Sequence, residues 1–240
     1  PEGPATTSWS GRMWASTPTS SPSRTRGWLI DVTPDFRQQM LNHQVKKIDA
    51  VLLTHHHSDH IQGFPDIRSY CQQGNPLDVY GPAETIDLLK QRFDYIFNPP
   101  PIIAGGIPDL TPHSKRAGER FEVCGLEITP GFVEHGSVQE CFGYRLGDKI
   151  GYIPDVKVMP EETKALFQDL DILILNMLRR APEHSTHLTL AQSVALAKEL
   201  NPKQCYFVHM SHDIHYEKDQ QALPPQMMFT YDGLQVKVEV

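Results

Sequence analysis

From Trp28 onward, apolar residues fall into short runs of the length that buried strands need, separated by segments with helical spacing. Trp28 to Val32 and Ile48 to Leu53 read as strands, and Pro34 opens a short helix between them that runs to about Leu41. Ile61 to Tyr70 reads as a helix, Leu77 to Tyr80 as a strand, and 82–93 as a helix with proline in its first turn. After the loop Asn98-Pro99-Pro100-Pro101 come short strands at 120–123, 126–133, 141–146 and 150–153, the last two joined by a turn at Gly147-Asp148. The pattern then predicts a helix over 159–167, a buried strand over 170–175, a helix over 189–200 and a strand over 205–208. A final hairpin should turn at Asp232-Gly233. Strands clustered in two sets with helices between them predict an α/β architecture, two sheets sandwiched between helix layers.

Residues 1–27 differ from the rest. They are rich in Pro, Ser, Thr, Gly and Arg, carry almost no aliphatic residues and show no period of either kind, which predicts an irregular segment. The expected organisation is therefore an N-terminal segment over 1–27 and one domain over 28–240. At 240 residues with 39% hydrophobic content, the chain is long enough for one large domain with a substantial core.

Charge and cysteine usage narrow the function classes. Lys plus Arg is 22 against 29 Asp plus Glu, a net charge of −7, which argues against a broad nucleic-acid surface and fits a small anionic substrate held by metals better. Cys71, Cys124, Cys141 and Cys205 are scattered without CxxC spacing, so they read as buried free thiols and not as a zinc ribbon or disulfide framework. No stretch approaches the ~18 consecutive apolar residues of a membrane span, and the N-terminus lacks the pattern of a signal peptide. A cytoplasmic protein with no membrane partner is expected, and a homodimer is allowed.

The chemistry concentrates in His55-His56-His57-Ser58-Asp59-His60, an HxHxDH motif directly after the strand that ends at Leu53. In extended backbone, residues two apart share a face, so His55 and His57 converge on one ion while His56 points away. Asp59 and His60 come one step later, before Gly63 and Pro65, where a turn lets them splay toward a second ion. An artificial histidine tag would sit at a terminus, with neither an acid in register nor a buried strand before it. Imidazole with carboxylate points to zinc, manganese or iron and away from calcium. A two-metal site needs about seven protein ligands. His135, Asp155 and His209 each follow a strand-like run, where a sheet delivers side chains to one rim.

With these residues the chain resembles the metallo-β-lactamase superfamily, from about Trp28 to its end. The resemblance implies a four-layer αββα sandwich in which His55, His57 and His135 hold one ion, Asp59, His60 and His209 the other, and Asp155 bridges. All seven positions match the family pattern. A true β-lactamase would use Cys where Asp155 stands. His187-Leu188-Thr189, ahead of His209, resembles the phosphodiesterase branch, which includes ribonuclease Z and the phosphoribosyl cyclic phosphate phosphodiesterases. Asp31 to Arg37, Val208 to Asp213 and Tyr231 to Leu234 look most like the second group. That group often begins with a CxCxxC segment which, with a His three residues after the last ligand, holds a structural zinc. Residues 1–27 contain no cysteine, so His212 is left as an orphan counterpart and a third zinc is not expected.

The resemblance implies two divalent ions, zinc or manganese with iron also compatible. It also implies hydrolysis of a small, sometimes cyclic, sugar phosphate diester by a hydroxide held between them. Asp59 and Asp155 would orient that hydroxide, and His187 would donate a hydrogen bond or proton on the far side of the phosphate. His184 reads equally as a surface group or a support for this site. His43, His56, His113 and His215 have no matching role. Asp31 and Asp35 read either as acceptors for ligand imidazoles or as turn formers around Pro34. The rival readings are a ribonuclease Z-like processing enzyme, for which no inserted basic arm is visible, and a catalytically impaired metal-binding scaffold of the same fold.

Overall fold

The computed structural model of the chain describes residues 13–17, 26–71, 74–99, 101, 106–236 and 238. The described residues fall into two compact units. One comprises Arg12–Pro130 with Val138–Phe142, the other Gly131–Ser137 with Gly143–Val240.

In the first unit, strands β1 (Met13–Thr17), β2 (Arg26–Ile30), β3 (Ala50–Leu52), β4 (Leu77–Pro82) and β5 (Leu110–Lys115) form a sheet in that spatial order. β1 runs antiparallel to β2, and β2 to β5 are mutually parallel. β1 lies inside the segment expected to be irregular. Its backbone pairs Met13 with Ile30 and Thr17 with Arg26, a ladder that does not require aliphatic alternation. Apart from 13–17, 26 and 27, that segment lies outside the described residues. Helices α1 (Phe36–Asn42), α2 (Ser58–Ile61), α3 (Ala83–Arg92) and α4 (Asp94–Phe97) belong to the same unit. Its core gathers Leu29, Val51, Leu53, Phe64, Val79 and Leu89.

The helix expected over 61–70 is two pieces, α2 and a 3₁₀ turn at Phe64–Ser69. The break falls at Gly63, where a Cβ would stand 2.1 Å from the Thr33 carbonyl oxygen, and Pro65 then opens the 3₁₀ turn. β5 was not anticipated, because it is polar and contains Pro112. As the outermost strand beside β4 it tolerates a residue without an N–H.

The second sheet is built from β6 (Phe121–Val123), β7 (Leu126–His135), β8 (Val138–Leu146), β9 (Ile150–Ile153), β10 (Ile172–Asn176), β11 (Gln204–Val208) and β12 (Met227–Phe229). Its order is β12-β11-β10-β9-β8-β7-β6. β9 to β12 are parallel, and β8 turns back antiparallel onto β9. Helices α5 (Glu161–Leu166), α6 (Leu190–Leu200) and α7 (Tyr216–Gln220) belong to the second unit, whose fully buried side chains include Tyr144, Tyr152, Phe167, Phe207 and Phe229. α6 is entered through a capping box in which Thr189 and Gln192 satisfy each other's backbone N–H groups. The hairpin expected at Asp232-Gly233 does not form among the described residues. β12 ends at Phe229, and the Thr230 N–H and hydroxyl that follow both donate to the Phe207 carbonyl, at 3.0 and 2.8 Å. The turn itself is present: the Leu234 N–H closes on the Tyr231 carbonyl at 3.1 Å, with Gly233 at φ +87.

Cys71, Cys141 and Cys205 are buried and outside any disulfide, as expected, while Cys124 is half-buried. Among the described residues, no helix is long and apolar enough to cross a membrane.

Candidate functional site

Several candidate residues of each unit follow the C-terminal ends of parallel strands, where open α/β sheets deliver side chains to a rim. In the first unit Ile30 of β2 pairs with Leu52 of β3, so Asp31 and Thr54 emerge next to each other. Asp31 is fully buried and holds φ 61, a left-handed conformation rare outside Gly, Asn and Asp that suits a residue fixed by its side chain. Its Oδ1 accepts the Thr54 N–H at 2.8 Å, and its Oδ2 faces the Thr54 hydroxyl at 2.9 Å and His60 Nδ1 at 2.7 Å. The Thr54 hydroxyl in turn lies 3.0 Å from His55 Nδ1.

This network sets the imidazole tautomers. A carboxylate only accepts, so His60 carries its proton on Nδ1; the Thr54 hydroxyl donates to Asp31 and accepts from His55 Nδ1. Both rings therefore present an Nε2 lone pair, the arrangement typical of metal-ligating histidines. The His57 ring stands 4.6 Å from that of His55, and the His60 ring 4.1 Å. Asp59 and His60 lie on α2, and Asp59 Oδ2 is 3.4 Å from His60 Nε2. Two donors on one tetrahedral ion, each ~2.1 Å from it, lie about 3.4 Å apart. His56 turns away, as its spacing predicts. Its carbonyl takes a hydrogen bond from Arg92 at 2.7 Å, and its Nδ1 stands 3.9 Å from Glu84. The choice left open for Asp31 and Asp35 is settled by position: Asp31 is the acceptor, and Asp35 is exposed at the start of α1 without a side-chain cap.

In the second unit β9, β10 and β11 end side by side, with Ile153 opposite Leu175 and Asn176 opposite Val208. Asp155, Asn176 and His209 follow in order across that rim. His209 holds φ 68. Asp155 Oδ1 lies 3.2 Å from His209 Nε2, 3.4 Å from His187 Nδ1 and 3.7 Å from His135 Nε2. His135, at the end of β7, donates through Nδ1 to the Thr186 carbonyl at 2.9 Å, so that Nε2 is the atom by which it could ligate a metal. Gly136 makes that approach feasible: at φ +60, a Cβ on it would be 2.6 Å from Thr186 Cγ2.

His135, Asp155 and His187 bring donor atoms within 4.8 Å of one another, but the His187 Nδ1 also lies 3.2 Å from the Asn176 amide nitrogen. Burial pushes the His187 pKa down to about 3, with the Asp155 carboxylate opposing and His209, His135 and His184 assisting, so this ring is neutral near pH 7. His184 packs against it at 5.1 Å between ring centroids, and its Nδ1 accepts the Thr186 N–H at 3.3 Å. Burial, then the charges of Arg179 and Lys157, lower the His184 pKa. His212 lies away from these groups, 87% exposed beside Asp213. His113 pairs with Asp78 at 2.7 Å, and His215 is exposed where α7 begins.

Sequence reasoning passed over Thr54, Asn176 and Thr186. Asn176 left a trace, being the polar residue that ends the apolar run Ile172 to Leu175.

The donor set fits divalent metal: imidazoles whose outer nitrogens are held by Asp31, Thr54 and Thr186, and carboxylates at ligand-to-ligand spacing from them. The sequence matches the beta-lactamase superfamily domain over residues 26–210, and the chain belongs to that family. Among solved structures it is similar to a diphosphatase from the PhnP family, with 36% identity, a TM-score of 0.80, and coverage of 90% of this chain and 81% of that one. The architecture is thus the metallo-β-lactamase fold. An octanoyltransferase of Porphyromonas gingivalis is 32% identical over 214 residues, 88% of this chain and 42% of that protein. A ribonuclease Z of Crocosphaera subtropica is 36% identical over 79 residues, 31% of this chain and 25% of that protein. The chain thus spans less than half the length of these curated relatives.

Proposed function

We propose that residues 28–240 act as one metal-dependent phosphodiesterase domain acting on a small phosphorylated substrate, a sugar phosphate diester that is open or cyclic. His55, His57, Asp59 and His60 of the first unit and His135, Asp155 and His209 of the second would supply the ligands for two divalent ions. Zinc and manganese suit the mixed imidazole and carboxylate donors, and iron is compatible. The observation that carries this reading is the tautomer control: Asp31, Thr54 and the Thr186 carbonyl each occupy an imidazole Nδ1, leaving Nε2 of His60, His55 and His135 for a cation. Bound divalent ions supply a water of lowered pKa and neutralise phosphate oxygens.

The chain's own groups do the rest. Asp59 and Asp155, each beside ligand imidazoles, orient the attacking water by accepting its hydrogen bonds. His187, neutral and largely buried, donates a hydrogen bond to a phosphate oxygen or the leaving alkoxide. A cytoplasmic location accords with four cysteines outside any disulfide, three of them buried.

A panel of bis(4-nitrophenyl) phosphate, ribosyl 1,2-cyclic phosphate and precursor transfer RNA, run with zinc- and manganese-loaded protein, tests the reading. Turnover of the small esters supports it. Turnover of the RNA alone favours the ribonuclease Z-like alternative, motivated by the partial match to ribonuclease Z. Inactivity on all three with metal bound favours a catalytically impaired scaffold.

A further inference from the structure

We propose that Asn176 is a positioning residue that fixes the His187 imidazole as its Nε2–H tautomer, so that the ring offers a donor and withholds its other nitrogen from metal. Asn176 is fully buried as the last residue of β10. Two backbone groups of opposite polarity set its amide orientation. The Leu188 N–H donates to Oδ1 at 3.0 Å, and Nδ2 donates to the Pro154 carbonyl at 2.8 Å. A flipped amide would set N–H against N–H and oxygen against oxygen, so the assignment follows from the network. The Asn176 carbonyl also accepts the Ser193 hydroxyl at 2.7 Å, tying the end of β10 to the first turn of α6.

With its orientation fixed, the amide turns its second hydrogen toward His187 Nδ1 at 3.2 Å. That nitrogen can only accept, and a neutral imidazole has one proton, which therefore resides on Nε2. The consequence is a separation of roles. His187 Nδ1 lies 3.4 Å from Asp155 Oδ1, and the residue falls with His135 and Asp155 in a cluster of metal-ligand spacing, yet the Nδ1 lone pair is engaged by Asn176. His187 is thereby kept out of the ligand set, and Nε2–H is left for an oxygen of the substrate. Asn176 also links Pro154, the residue before Asp155, to the segment carrying His187, so one amide aligns a ligand and a donor. Its catalytic consequence rests on the phosphodiesterase reading; the tautomer does not.

The test is two-bond ¹H–¹⁵N NMR of zinc-loaded protein carrying ring-labelled histidine, with the His187 signals identified by their loss in His187→Gln. The expected result is an Nε2–H pattern for His187 in the native sequence. In Asn176→Asp a carboxylate oxygen replaces the amide donor, and the Nδ1–H pattern should appear. In the same variant, turnover of bis(4-nitrophenyl) phosphate should fall by at least roughly tenfold with KM and zinc content unchanged. An Nδ1–H pattern in the native protein overturns the inference without recourse to any variant. So does a folded Asn176→Asp protein that keeps the Nε2–H pattern. A native Nε2–H pattern in a protein that hydrolyses no phosphodiester upholds the tautomer and sinks the functional reading instead.

Discussion

Replacing Asp31 by Asn tests whether the imidazole tautomers are set from within the first unit. The substitution preserves shape and the left-handed backbone, which Asn tolerates. One amide orientation keeps Oδ1 on the Thr54 N–H and puts an NH₂ where Oδ2 faced the Thr54 hydroxyl and His60 Nδ1, at 2.9 and 2.7 Å. The other sets NH₂ against the Thr54 N–H, a donor that cannot be reversed. In the first orientation His60 must move its proton to Nε2 and lose the lone pair meant for metal, or leave a buried donor unsatisfied at a cost of about 1–3 kcal/mol. Losing such a carboxylate partner typically weakens metal binding by about 10–100-fold, or roughly 1.4–2.8 kcal/mol. Competition against a chromophoric zinc chelator should show that loss for the weaker of two sites, while circular dichroism shows a folded protein. Native zinc affinity in a folded Asp31→Asn variant would refute the reasoning, because Asp31 would then have no hold on the His60 tautomer.

Three further outcomes follow from other parts of the molecule. His187→Ala should keep its full metal content by elemental analysis while phosphodiester turnover drops by about 10²–10⁴-fold; loss of metal instead would make His187 a ligand. Gly136→Ala combines φ +60 with a Cβ 2.6 Å from Thr186 Cγ2, and the strained backbone alone should cost about 1–2 kcal/mol in urea denaturation; an unchanged midpoint would mean the turn relaxes freely. Phe207→Ala, at a fully buried position whose ring lies 6.3 Å from that of Phe229, should cost about 3–5 kcal/mol by the same measurement, and a loss under 1 kcal/mol would place Phe207 outside the core.

The candidate ligands were legible because their pattern is local. His55, His57, Asp59 and His60 lie within six residues at a strand end, and His135, Asp155 and His209 each follow a strand-like run. What controls those ligands was legible only in part: Asp31 stood with Asp35 as a candidate acceptor, but the choice between them, and the parts played by Thr54 and Thr186, depend on contacts within the folded chain. Asp31 reaches His60 across 29 positions and Thr186 reaches His135 across 51, and a backbone carbonyl such as that of Thr186 has no sequence signature. The same reason explains the missed elements. β5 takes its place through backbone pairing with β4 despite Pro112. α7 shows no apolar stripe because its buried residue is Asp219, which accepts from Arg180 at 3.0 Å. The helix expected over 61–70 broke where Gly63 meets the Thr33 carbonyl, a steric demand that periodicity does not encode.

The claim that this chain works through a metal pair is tested most directly by metal titration of the stripped protein with hydrolysis measured on each sample. Turnover of bis(4-nitrophenyl) phosphate should be absent without metal, rise with added zinc or manganese, and level off at two equivalents per chain by elemental analysis. A plateau at one equivalent, or no hydrolysis at any loading, would contradict the account.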